Sequence, residues 1–279
     1  MARAHHIADI ARGDENPFAY AVSQNDRNTI SLVRQALQLG RVRLAYQPVV
    51  LGSDPTRTGF YEGLIRVLDE NGRVIPARDF MGAVEATEIG REIDCAALAL
   101  GLQTLTEQPD VRIAINMSAR SVAYPKWMGI LQRGLKAHPG LGERLILEIT
   151  EASAMTVPEI VMTFMDDLQC EGIAFAMDDF GAGFTSIRYL RDFNFDILKI
   201  DAQFIRNISQ DRDNQVVVAA LLSIARQFDM LCTAEAVETP EEAEFLQKLG
   251  VDCLQGYLFG APSLLPPWIE GKTGTYGMD

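Results

Sequence analysis

From about residue 40 to residue 260, short β-rich runs alternate with longer segments of helical period. The β-rich runs are Arg43–Val50, Phe60–Leu68, Arg112–Ser118, Leu145–Glu151, Gly172–Phe180, Ile197–Phe204, Leu231–Glu238 and Cys253–Phe259. Helix-like segments fill most gaps, at Ala77–Thr106, Pro158–Cys170, Asp213–Phe228 and Pro240–Leu249. In the third of these, Val216, Ala219, Ala220, Ser223, Ile224 and Gln227 follow the i, i+3, i+4 spacing of one helix face. Thr239 before Pro240 reads as an N-cap with proline in the first turn, and Gly250 as the stop. Strands alternating with helices imply a parallel sheet with crossover helices. Eight such strands in one unit predict an α/β fold closed as a (β/α)8 TIM-like barrel. One gap breaks the rule. Only nine residues separate Val50 from Phe60, among them Gly52, Asp54, Pro55 and Gly59. A parallel crossover needs a dozen or more residues. The first two strands are therefore predicted to form an antiparallel hairpin, so the first strand runs against the rest.

Residues 1–27 are polar without a sustained period and read as an N-terminal arm, partly flexible. Residues 28–265 make the barrel. The end, 266–279, with Pro266, Pro267 and several glycines, reads as a loose tail.

Composition narrows the picture. The 279 residues carry 25 Lys+Arg against 38 Asp+Glu, a net charge of −13, with 48% hydrophobic residues. That balance excludes a disordered chain, and the acidity argues against binding duplex nucleic acid. Cys95, Cys170, Cys232 and Cys253 form no CxxC pair and stand in apolar stretches, as expected of buried free thiols in a reducing compartment. The first 20 residues show no apolar signal core. The apolar run Val216–Ala225, interrupted by Ser223, falls far short of the ~20 residues that span a bilayer. The chain is read as soluble and cytoplasmic, without membrane insertion.

Polar residues sit where a packed core would not choose them. Asn116, Glu148, Asp178 with Asp179, Lys199, Glu235 with Glu238, and Gln255 lie in or at the ends of six successive strands. In a barrel of this type these ends form the C-terminal face, where active sites are built. One carboxylate at a strand end is commonly a helix cap or a solvated loop residue. Six strands in a row are not explained that way, because unpaired buried charges cost several kcal/mol each. A shared metal centre would offset that cost. Oxygen donors without His or Cys favour Mg²⁺, Mn²⁺ or Ca²⁺, and adjacent acids such as Asp178-Asp179 can serve two ions.

These blocks resemble the EAL-domain family of cyclic di-GMP phosphodiesterases. The namesake tripeptide stands as Glu62-Gly63-Leu64, inside Tyr61-Glu-Gly-Leu-Ile-Arg66. Tyr46-Gln-Pro48 precedes it. Asn116-Met-Ser118, Leu147-Glu-Ile-Thr-Glu151, Asp178-Asp-Phe-Gly-Ala-Gly183, Lys199-Ile-Asp201, Ala234-Glu-Ala-Val-Glu238 and Gln255-Gly-Tyr-Leu-Phe259 follow in the family's order, from about residue 30 to 262. The resemblance implies hydrolysis of cyclic di-GMP to linear pGpG with two Mg²⁺ or Mn²⁺ ions. Glu62, Asn116, Glu148 and Asp178 would ligate the first, and Asp178, Asp179 and Glu235 the second. Lys199 would contact the attacking water, orienting it or acting as a base. Gln47, Leu64, Arg66, Asn116 and Gln255 would bind the nucleotide, and Glu151 would steady the loop after Asp179. The family also implies a homodimer, and sensory or cyclase domains as partners if the chain is a fragment. A second reading is a receptor that binds cyclic di-GMP without cleaving it. A third, outside the family, is a Schiff-base aldolase using Lys199. Three departures stand out: Gly63 for the usual alanine, Ala236 for the usual glycine, and Val67 where a large aromatic is common. None removes a metal ligand. Ala236 matters most, because its methyl would strain the turn beside Glu235 if the backbone there has positive φ.

Overall fold

The structure is a computed structural model that describes residues 17–182 and 190–269, with side chains from residue 26. Nine strands form one sheet: β1 (Val42–Leu51), β2 (Asp54–Leu68), β3 (Val74–Pro76), β4 (Ile113–Asn116), β5 (Leu145–Thr150), β6 (Ala174–Phe180), β7 (Ile197–Ile200), β8 (Leu231–Ala234) and β9 (Cys253–Gln255). Their order is β1-β9-β8-β7-β6-β5-β4-β2-β3, and β1 also pairs with β2, which closes eight strands into a barrel. β1 is antiparallel to both β2 and β9, while the pairings from β2 through β4 to β9 are parallel. The expected barrel with its first strand reversed is therefore the observed one. β3, not foreseen in the sequence, pairs antiparallel with the end of β2 and extends the sheet beyond the barrel.

Helices α1 (Pro17–Gln38), α2 (Glu88–Glu107), α3 (Pro125–Ala137), α4 (Pro158–Gln169), α5 (Arg212–Gln227) and α6 (Pro240–Leu249) are the main helices among the described residues. α6 starts and stops as its sequence dictates. Thr239 and Glu242 make a reciprocal capping box, and Gly250 adopts φ 84 at the stop. α1 begins at Pro17, inside the stretch read as an arm. The segment expected as one helix over Ala77–Thr106 is broken. A turn at Ala77–Asp79 and a short helix at Met81–Val84 precede α2. The break falls at Thr87, whose hydroxyl oxygen accepts from Ile89 N to start α2 and donates to Val84 O to close the preceding turn.

Three strands end four residues before their β-rich runs do. β7 stops at Ile200 because Asp201 caps a short helix, Ala202–Ile205, accepting from Gln203 N at 2.7 Å. β8 stops at Ala234 because Ala236 takes φ 52. β9 stops at Gln255 because Gly256 lies against Val237: a Cβ there would meet Val237 O at 2.0 Å. The chain after Pro262 is not loose where it is described. Ser263 pairs with Tyr46 through backbone bonds of 2.8 and 3.0 Å. Trp268 packs edge-on against Tyr46 and Tyr61, with ring centroids 5.1 and 4.7 Å apart. Aromatic burial holds a segment whose prolines suggested disorder. One thiol also departs from expectation. Cys170 is exposed at the end of α4, whereas Cys95, Cys232 and Cys253 are buried, and all four are free.

Gly63 has a packing explanation. A Cβ there would lie 2.8 Å from Ile115 Cδ1, and one at Gly101 of α2 would meet the same atom at 2.8 Å. The Ile115 side chain thus occupies the space between two glycines. Gly63→Ala restores the residue usual in the family and overpacks this site. It is expected to lower stability by about 1–3 kcal/mol, read by urea unfolding. Adding Ile115→Val, which can remove the clashing methyl, should recover most of the loss.

Candidate active site

Inside the barrel, strand alternation builds two layers. Val49, Phe60, Ala114, Ile146, Ala176, Ile197 and Cys253 form a separate buried apolar cluster. On the parallel strands the side chain two residues further on points the same way. That step leads from Phe60 to Glu62, Ala114 to Asn116, Ile146 to Glu148, Ala176 to Asp178, Ile197 to Lys199 and Cys253 to Gln255. On the reversed β1 it runs backward, from Val49 to Gln47. Buried Thr233 on β8 leads likewise to Glu235. A polar layer therefore rests directly on an apolar floor.

Lys199 is the centre of this layer and only 1% exposed. Its Nζ lies 2.8 Å from Glu235 Oε1, 2.9 Å from Asp178 Oδ1, 3.0 Å from Glu148 Oε2 and 3.8 Å from Glu62 Oε2. Asp178 Oδ1, despite its closeness, is off the direction of a hydrogen bond and has no hydrogen-bond partner. Glu62 is held from both sides. Its Oε1 accepts from Asn116 Nδ2 at 2.8 Å and its Oε2 from Gln255 Nε2 at 2.5 Å. Gln255 Nε2 also donates to Gln47 Oε1 at 3.2 Å, and Gln47 Nε2 donates to Gly260 O at 3.0 Å. Asp178, Asp179 and Glu235 present carboxylate oxygens that all lie within 4.8 Å of one another.

Four carboxylates face one ammonium, so 4 − 1 = 3 negative charges would stand uncompensated if all were ionised. The titration behaviour follows. Burial by itself lowers the Lys199 pKa, but Asp178, Glu148, Glu235 and Glu62 outweigh it and hold the ammonium above the ordinary lysine range. Burial lifts Glu148 well above the usual carboxylate range, with Lys199 opposing. Burial also pushes Glu235 up to about 8, against Lys199 and with help from Asp178 and Glu62. Asp179 is raised to about 6 by burial and by the charges of Asp178 and Asp201.

Above this layer lies a cavity of ≈ 240 Å³, whose walls include Gln47, Glu62, Leu64, Glu235 and Gln255. Arg66 does not line it. The guanidinium is half-buried and donates from Nη1 to Ile65 O at 2.9 Å. Glu151 is buried, and its Oε2 accepts from Gly181 N at 3.2 Å at the start of the loop after Asp179. Residues 183–189 of that loop region lie outside the described residues. The lining also includes residues to which sequence reasoning gave no site role: Ala236, Glu238, Gly256 and Tyr257 stand inside the family's blocks, and Ala202 and Arg206 outside them. Arg206 follows the short helix after β7, where no periodicity marks it.

A sequence model of the EAL domain matches residues 31–262. The chain belongs to the EAL domain family. This EAL domain is 31% identical over 269 residues to the bifunctional diguanylate cyclase/cyclic di-GMP phosphodiesterase MucR of Pseudomonas aeruginosa, covering 94% of the chain and 39% of MucR. It is 33% identical to the cyclic di-GMP phosphodiesterase PdeF of Escherichia coli, covering 84% of the chain and 31% of PdeF. The chain thus spans well under half the length of these relatives. Among solved structures, the PaMucR phosphodiesterase in its c-di-GMP complex superposes with a TM-score of 0.74 at 31% identity, covering 85% of this chain and 97% of that one.

The donor set fits a hard divalent cation. It is all oxygen, and Glu148 Oε1, Asp178 Oδ1 and Gln255 Oε1 are buried without hydrogen-bond partners. Glu235 and Asp179 stand above their ordinary values of 4.5 and 3.8. Without cations the folded domain therefore keeps protons that the unfolded chain has released. Their contribution to stability is complete below about pH 4 and is lost as pH rises through about 6 and about 8. In EDTA the melting temperature is expected to fall between pH 6 and 8.5. Excess Mn²⁺ should reverse the fall, with calorimetry showing proton release on Mn²⁺ binding. A flat, cation-independent profile would contradict this assignment.

Ala236 gives a second expectation at this site. Its φ of 52 is left-handed, costing a non-glycine residue roughly 1–2 kcal/mol, which glycine avoids at an entropic cost of roughly 0.5–1 kcal/mol. Ala236→Gly should therefore stabilise the domain by about 0.5–1 kcal/mol in urea unfolding.

Proposed function

We propose that this EAL domain hydrolyses cyclic di-GMP at one 3′-ester bond and releases linear pGpG. The observation that carries the reading is the oxygen-donor cluster around Lys199, with its unpartnered buried oxygens, at the floor of an open cavity. The names of MucR and PdeF support the substrate. Glu62, Asn116, Glu148 and Asp178 would hold one Mg²⁺ or Mn²⁺, and Asp178, Asp179 and Glu235 a second. Such a pair, when bound, turns water into a nucleophile near neutral pH and offsets charge at phosphorus.

The chain's own groups do the rest. Asn116 and Gln255 hold Glu62 in one rotamer. Lys199, with its ammonium held in the charged form, orients the water as a donor and does not take its proton. The water oxygen forms the new P–O bond and releases a proton to solvent, the P–O3′ bond breaks, and the 3′-oxygen takes up a proton from solvent, which reaches the site through the open cavity. Gln47, Leu64 and Gln255 seat the nucleotide in the cavity. Arg66, with guanidinium donors left beyond its bond to Ile65, takes a diester oxygen. Glu151 anchors the loop after Asp179 through Gly181. By family likeness the reading extends to a homodimer in the cytoplasm, with sensory or cyclase domains attached if the chain is a fragment. No helix among the described residues is long and apolar enough to cross a membrane.

The test is incubation with cyclic di-GMP and Mg²⁺ or Mn²⁺, followed by chromatography of the nucleotides. pGpG should appear, vanish with EDTA and return with either ion. Ca²⁺ should inhibit, since its coordination is longer and looser. Lys199→Met keeps length without charge and should cut turnover at least ~10²-fold with smaller effects on Mn²⁺ and nucleotide affinity. Tight binding without product would replace the enzyme reading with a receptor. Full turnover in EDTA would refute the role of the ions.

A further inference from the structure

Asp94 is a buried carboxylate outside the site that neither the reaction nor a helix cap uses. Asp94 stands within α2, flanked by buried Ile93, Cys95, Ala97 and Leu98, and is 5% exposed. Aspartate is a poor residue for a helix interior, and a buried carboxylate without a cation is costly. Among the described residues no lysine or arginine forms an ion pair with it. Its Oδ2 instead accepts two hydrogen bonds from one short segment, at 3.0 Å from Ser118 N and 2.6 Å from Ser121 Oγ. That segment is the continuation of β4, immediately after Asn116.

The surrounding bonds show what the segment does. Met117 N donates to Glu148 O at 2.8 Å, tying the end of β4 to the β5 residue that faces Lys199. Ala119 N donates to Ser153 Oγ at 2.8 Å. Arg91 Nε donates to Arg120 O at 3.2 Å, and Arg120 Nη1 donates to Ala86 O at 3.1 Å. The latter two bonds are exposed, whereas the Asp94–Ser121 bond is buried. Through Asn116 Nδ2 the same strand end reaches Glu62 Oε1. A continuous chain of contacts thus runs from α2 through Ser118 and Asn116 to Glu62.

We propose that Asp94 is a positioning residue for the cation site: by clamping the Ser118–Ser121 turn to α2 it fixes where Asn116 and, through it, Glu62 present their oxygens. This rests on the assignment of Asn116 and Glu62 as cation ligands under the proposed function. The clamp works through hydrogen-bond acceptance rather than charge, because both bonds fall on one oxygen. The amide oxygen of an asparagine can accept both. Burial agrees, pushing the Asp94 carboxyl up to about 7 against the Ser121 and Ser118 bonds, with Glu85 adding to the rise.

The test measures Mn²⁺ affinity by calorimetry on the purified chain, with no nucleotide present. Asp94→Ala should weaken Mn²⁺ binding ~10- to 100-fold, the range for partners that orient metal ligands. Asp94→Asn should stay close to wild type. In turnover, Asp94→Ala should lower kcat and raise the Mn²⁺ concentration needed, with little change in KM for cyclic di-GMP. A folded Asp94→Ala protein with wild-type Mn²⁺ affinity overturns the proposal, as does an Asp94→Asn protein as weak as the alanine variant. If Asp94→Ala does not fold, Ser121→Ala removes one of the two bonds and should give a smaller loss of Mn²⁺ affinity; no loss there also overturns it. If wild type binds Mn²⁺ but makes no pGpG, the proposed reaction fails while the Mn²⁺ series still decides the role of Asp94.

Discussion

Two residues is the repeat that everything else in this EAL domain depends on. A strand turns every second side chain to the same face, so a closed barrel has room inside for successive rings of side chains and little else. Here one ring is apolar, from Val49 round to Cys253. The next carries Gln47, Glu62, Asn116, Glu148, Asp178, Lys199 and Gln255. A slip of one residue in any pairing would drive a charge into the layer between sheet and helices and bring an apolar side chain into the cavity. The register is thus set by the penalty for misplacing charge as much as by hydrophobic burial. Fold and site are specified by the same contacts.

The polar ring is not a comfortable arrangement for a protein interior. Lys199 relieves it only in part, since one ammonium serves four carboxylates. Burial, with the neighbouring carboxylates adding to it, raises the pKa values of Glu148 and Glu235, and several oxygens of the ring have no hydrogen-bond partner. A core optimised for stability would not hold such a group. The packing around it is correspondingly firm: Phe175, Phe180, Ile113, Ile115 and Leu147 are almost wholly buried on the neighbouring strands. The domain carries an electrostatic burden in its centre and offsets it with apolar burial at the wall.

Much of this was legible in the sequence because it is written in period two and in residue type. The nine-residue gap after Val50 was too short for a crossover, and that alone indicated the reversed strand. Polar residues in or closing six β-rich runs, charged in four of them, indicated the face of the barrel that carries the site. What escaped was set by contacts between distant segments. The sequence around Asp94 reads as ordinary amphipathic helix, and only the folded chain shows its carboxylate against Ser118 and Ser121. Trp268 follows two prolines in a stretch that suggests disorder, yet finds Tyr46 and Tyr61. Arg206 belongs to a turn of too few residues to show a period. Arg66 shows another limit. The motif places it correctly on β2, but its hydrogen bond to Ile65 and its position off the cavity wall are matters of rotamer.

The reversed strand also decides the shape of the mouth. In a barrel of eight parallel strands, eight strand-to-helix loops rise around the active face and make a well. β1 runs the other way, so it presents its beginning at that face, and the turn that follows it, at Gly52 and Ser53, lies at the opposite end. At the sector where β9, β1 and β2 stand side by side the rim is therefore a ribbon: β1 and β2 stay paired from Gln47 and Glu62 out to Val42 and Val67, with β3 added on β2. Gln47, Leu64, Gln255 and Tyr257, which line the cavity, all come from these strands or directly after them. One side of the depression is walled by hydrogen-bonded strand where the other sides are walled by loops. A strand's backbone is fixed by its neighbours in a way a loop's is not, so the side chains this wall turns inward, Gln47 and Leu64, are placed by sheet register alone.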